Sequence, residues 1–137
     1  VVPVALMEQG SQVFSDARLP HTGNLAEVTR EAILVNQPPE RIMGTNHEGE
    51  LPTTYRGIEI APQSVICESI KYAEEGDGMI LRLYETAGKS ARAEIHHHSP
   101  HYEVNFSRTF SKNEIQTLWV LPDGTVKETD MVEHRMR

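Results

Sequence analysis

Hydrophobic and polar positions alternate along most of the chain's second half. From Met79 to Glu85 the period is two: Met79, Leu81 and Leu83 share one face, and Ile80, Arg82 and Tyr84 share the other. Ser64 to Tyr72 is a similar run rich in β-branched residues (Val65, Ile66, Ile70). Between them, Glu74-Glu75-Gly76-Asp77-Gly78 is turn chemistry, since glycine visits φ > 0 cheaply and an aspartate caps its own turn. Strand, acidic glycine turn and strand together predict a β-hairpin.

The same pattern predicts further strands on either side. Tyr55–Ile60 places Ile58 and Ile60 on one face, and Ser90–His98 does the same for Ala91, Ala93, Ile95 and His97. Tyr102–Phe106 alternates with Tyr102, Val104 and Phe106 inward; Ile115–Leu121 follows, with Trp119 expected in the core beside Ile115 and Leu121. Pro122-Asp123-Gly124 then turns the chain into Thr125–Val132, a second hairpin. Upstream, Val1–Met7 and Gln12–Leu19 read as strands. Asn24, with Glu27 three residues on, caps a short amphipathic helix through Leu25, Val28, Ala32 and Val35, which Pro38-Pro39 stops. Glu40–Thr54 is a long polar loop. The sum is an all-β protein: one antiparallel β-sandwich domain over residues 1–137, with one short helix.

Composition narrows the function classes. The chain has 137 residues, 38% hydrophobic and 24% charged, as in a folded domain rather than a disordered tail. A net charge of −7 disfavours nucleic acid as a partner. No apolar run reaches the ~20 residues that span a bilayer, so no membrane partner is expected. Cys67 is the single cysteine, in an apolar strand, and with no visible leader it suits a reducing, cytoplasmic setting. A chain opening on Val1 reads as a fragment. Self-association into a homo-oligomer stays open.

Ala73–Lys89, AEEGDGMILRLYETAGK, closely resembles the signature of the C-terminal β domain of family 38 glycoside hydrolases, the zinc-dependent α-mannosidases. The likeness covers the acidic turn, Arg82, Tyr84-Glu85-Thr86 and Gly88-Lys89. Leu19-Pro20-His21-Thr22-Gly23, Arg30-Glu31-Ala32 with Asn36 and Pro38, Leu51-Pro52 and Glu114–Leu118 extend it more loosely. The resemblance implies a non-catalytic scaffold for an N-terminal catalytic α/β barrel of the same parent chain, which would bind mannose-containing oligosaccharide. It further implies that the parent's zinc is held by His and Asp ligands beginning with a His-x-Asp motif. No His-x-Asp occurs here, so no catalytic residue is expected in this chain and no cofactor of its own. Retaining hydrolysis also needs two carboxyl groups about 5 Å apart on a rigid platform.

Candidate sites then divide. Arg82 sits among apolar neighbours, where an unpaired charge is costly, so an ion pair with Glu68 or Glu85 is expected. The functional alternative assigns Arg82, Tyr84, Glu85 and Asp77 to the sugar pocket or the domain interface. His96, His98 and Glu103 have the His-x-His-x₄-Glu spacing of cupin-like metal sites, with His134 as a fourth ligand. However, the preceding glycine lies eight positions away and none follows at the usual offset; the simpler reading is exposed histidines at a strand end. The acidic turn around Asp77 offers few ligands for Ca²⁺. Trp119, Tyr55 and Tyr102 are candidate sugar-stacking rings for a carbohydrate-binding module.

Overall fold

The structure, a computed structural model, describes residues 10–46, 48–99 and 102–133. Helix α1 (Leu25–Asn36) is followed by strands β1 (Ile58–Ala61), β2 (Val65–Tyr72), β3 (Met79–Glu85), β4 (Ala91–His98), β5 (Glu103–Phe110), β6 (Ile115–Val120) and β7 (Val126–Thr129). They form two antiparallel sheets, one in the order β1-β4-β5 and the other β2-β3-β6-β7. This is the all-β sandwich with a single helix that the alternation predicts.

The inner faces follow the period of two. Leu81 and Leu83 from β3, Leu118 and Val120 from β6, and Val65 from β2 meet Ala93 and Ile95 from β4 and Val104 and Phe110 from β5. All nine are buried, and several are wholly inaccessible. Burying each larger side chain contributes roughly 1.5–3 kcal/mol.

The chain crosses between the sheets three times, through Pro62–Ser64, Thr86–Ser90 and Ser111–Glu114. Pairing of Val65 with Glu85, Ala91 with Phe110 and Tyr84 with Ile115 puts all three crossings at one end of the sandwich. The β2–β3 hairpin tip and the Leu121–Thr125 turn lie at the other.

Several expectations are corrected. Gln12–Leu19 is not a strand: it pairs with no strand among the described residues, and its apolar residues Val13, Phe14 and Leu19 are exposed. Val1–Met7 lies outside the described residues. The strand expected from Tyr55 starts at Ile58 and ends at Ala61, and β5 runs four residues beyond Phe106. The last strand stops at Thr129, because Asp130–Glu133 turns back over the sheet. Trp119 is not in the core. It pairs with Ile80 and Lys127 on the outer face, while Gln116, Leu118 and Val120 face inward.

Helix α1 forms where expected. The Asn24 side chain accepts the Glu27 N–H at 3.4 Å, and the helix ends at Asn36 ahead of the two prolines. None of its residues is buried, and Leu25, Ile33, Leu34 and Val35 are exposed.

Candidate functional site

The signature residues gather at the two ends of β3. At the crossing end, Glu85 is fully buried (0% exposed). Its Oε1 accepts the N–H of Ala87 at 2.8 Å. Its Oε2 accepts those of Gly88 at 2.9 Å, Asn113 at 3.0 Å and Lys89 at 3.2 Å. One carboxylate thus joins the second crossing to the third. Thr86 joins the second to the first, since both its N–H (2.7 Å) and its Oγ1 (2.9 Å) donate to Ser64 O. The left-handed backbone at Gly88 (φ 69°) and Asn113 (φ 56°) turns these amides toward the carboxylate. Burial alone would raise the Glu85 pKa, but the four backbone N–H groups favour the anion and hold it below the ordinary value.

At the hairpin tip the acidic turn is gripped from two sides. Trp119 Nε1 donates to Asp77 O at 2.8 Å, and the indole lies against Gly76 and Gly78. A Cβ on Gly78 would collide with Val120 O and lie 2.9 Å from Trp119 Nε1, so bare backbone is required there. From the other side, Glu133 Oε2 accepts the Glu74 N–H at 3.1 Å, and its Oε1 pairs with Lys71 Nζ at 2.5 Å. The Glu133 side chain is only 10% exposed. Burial opposes its charge, yet Lys71, the Glu74 amide and Arg82 hold its pKa low. Lys71 also meets Glu74 at 3.0 Å, and these partners raise its own pKa.

Arg82 lies under this returning segment, with Nη2 donating to Met131 O at 3.1 Å. Neither expected ion pair forms: Glu85 is on the opposite face and saturated by amides, and no Glu68–Arg82 bridge occurs among the described residues. Tyr84 is half-buried on the outer face beside Ile66 and Ile115, the last 48% exposed. Asp77 is exposed at the tip.

The histidine strand separates by parity. His96 and His98 project from the outer face of the β1-β4-β5 sheet, where His98 Nδ1 meets Glu103 Oε1 at 3.4 Å. His97 points inward with Ala93 and Ile95, as the alternation of the strand predicts. It is nearly buried, its Nδ1 donates to Gly57 O at 3.2 Å, and it meets Tyr102 edge-on with ring centroids 5.8 Å apart. Burial lowers its pKa. No trio of His, Cys, Asp or Glu among the described residues is placed to hold a metal. These residues do not fit a zinc site; His101 and His134 lie outside the described residues.

The residues from 64 to 136, more than half of the chain, match the family model described as the glycosyl hydrolases family 38 C-terminal beta sandwich domain. The chain belongs to this family. No curated protein and no solved structure matches the chain. The family 38 sandwich therefore carries a signature whose most buried polar residue, Glu85, is bound wholly to its own backbone. Lys71 and Glu133 were missed in the sequence because they stand 62 positions apart. A polar residue closing an apolar strand, as Glu85 closes MILRLYE, is the one local signal of the corner.

Proposed function

We propose that this family 38 sandwich is a non-catalytic support for the catalytic barrel of an α-mannosidase. In the parent, zinc and a carboxylate nucleophile on that barrel would carry out retaining hydrolysis of α-linked mannose. The observation that carries this reading is the use of Glu85. The buried carboxylate of the signature has all its partners in the crossing turns, which is architecture rather than acid–base chemistry. The outward residues of the same strand then supply the contact surface. Tyr84, with Ile66 and Ile115, forms an apolar strip that ends where Arg82 passes under the returning segment, and Asp77 lies apart from it at the hairpin tip. An aromatic flanked by aliphatic residues is the composition of an interface centre.

Cys67 suits a reducing, cytoplasmic setting. Burial pushes its thiol pKa up to about 11, and Sγ donates to Ser69 O at 3.3 Å, so the thiolate is scarce. No helix among the described residues is long and apolar enough to cross a membrane.

The test is co-expression of the chain with a family 38 catalytic domain, followed by co-purification and assay on an aryl α-mannoside. The chain alone should show no turnover, and Tyr84→Ala with Ile115→Lys should abolish co-purification while leaving the circular dichroism intact. Turnover by the chain alone, or co-purification indifferent to both substitutions, would contradict the reading.

A further inference from the structure

The outer face of the β1-β4-β5 sheet differs from the rest of the surface. Where Glu94 and Ser107 stand beside Ala61, and Glu59, His96 and Asn105 stand side by side, the face is polar apart from Ala61. At its edge, just before β1, Tyr55 is 61% exposed. Its side chain is nevertheless tethered, since the hydroxyl donates to His98 O at 2.5 Å. An aromatic tethered in the open loses less entropy when something stacks on it.

Tyr55 borders a cleft of about 370 Å³ shared with Arg56, Glu59 and His98. Arg56 and Glu59 also line a second cleft, of about 520 Å³, which continues to Glu94 and His96. The clefts thus join across the Arg56–Glu59 ion pair, whose charged atoms are 3.7 Å apart and largely exposed. Carboxylate, guanidinium and imidazole groups line the clefts together with Ile58, Ile60 and Ala61, and the aromatic lies at one end. A neutral pyranose presents matching chemistry, with an apolar C–H face for a ring and adjacent hydroxyls that donate to carboxylates and accept from Arg or His.

The other candidate rings are committed elsewhere. The Trp119 indole is held against the acidic turn, and the Tyr102 hydroxyl is buried. Tyr72 is open, and its hydroxyl has no hydrogen bond to any of the described residues. We infer that the groove from Tyr55 to His96 is a binding site for a neutral hexopyranose unit of an oligosaccharide, with Tyr55 as the stacking ring and Arg56, Glu59 and Glu94 engaging the hydroxyls. That the sugar is α-linked mannose rests on the family reading above; the groove itself does not.

Titration of the 137-residue chain with α-linked mannobiose, and separately with cellobiose, followed by protein NMR, tests this. Mannobiose should bind in the millimolar range and shift the amides of residues 54–59 and 94–98. Tyr55→Ala should weaken binding by at least about tenfold, Tyr55→Phe by less, and Glu59→Gln should also weaken it, all with unchanged thermal midpoints. Binding of cellobiose alone, sensitive to Tyr55→Ala, would keep the site and count against the mannosidase reading. Binding of neither sugar by the folded chain, or binding indifferent to Tyr55→Ala, would overturn the site.

Discussion

Gly78 shows how a single residue decides the acidic turn. Its φ of 108° is open to glycine and strained for any side chain, and the space a Cβ needs is filled by Val120 O and the Trp119 indole. Gly78→Ala should therefore cost about 2 kcal/mol in a denaturant melt. A loss below about 0.5 kcal/mol would mean that the turn shifts freely and that Trp119 does not hold it. Gly124 (φ 87°) is the contrasting position, with nothing near its missing side chain. The glycines of the acidic turn were legible as turn residues, but their service to Trp119 was not. Alternation assigns Trp119 to the same face as Ile115 correctly; which of the two faces meets the other sheet depends on partners that lie elsewhere in the chain.

Elements differ in what holds them. Helix α1 was legible because its cap, its periodicity and its stopping prolines are all local. Its lack of burial was not, since an apolar stripe does not state what covers it. Twelve residues with no buried side chain form a marginal helix. In hydrogen exchange, Leu25–Asn36 amides should exchange nearly as an unfolded chain does, while those of Leu81, Leu83 and Leu118 should be the slowest. Equal protection in both regions would contradict the packing described. At the ends of β3 and β4, charge sets the pH response. His97 has a folded pKa below its ordinary 6.5, so the unfolded state binds the extra proton first, and stability falls as pH drops from 6.5 through the folded value. Glu85 and Glu133 have folded values below 4.5, so their contribution is present above 4.5 and is lost as pH falls through the folded values. Thermal melts should thus show a first decline below pH 6.5, absent in His97→Phe, and a steeper one below pH 4.5, reduced in Glu85→Gln. A midpoint flat between pH 7 and pH 4 would contradict both assignments.

The sandwich is two sheets whose three connections to one another all pass through one end. Three crossings there must agree in position for the inner faces to meet, and Glu85 with Thr86 ties them together. The two-sheet architecture was legible from seven of the nine runs read as strands and from their turns; the order β2-β3-β6-β7 was not, because strand neighbours depend on long-range pairing. The corner was half legible. The resemblance marks YETAGK as special, but only the fold shows that Glu85 turns inward to the amides of its own and a distant loop. A buried carboxylate whose four donors lose their acceptor leaves several unsatisfied N–H groups, each costing roughly 1–3 kcal/mol. The most direct measurement is therefore urea unfolding of Glu85→Gln at pH 7, read by far-ultraviolet circular dichroism. The account predicts a loss of about 3 kcal/mol, with both sheets melting in one transition. A variant within about 0.5 kcal/mol of the parent chain would show that the signature carboxylate is not what joins the crossings.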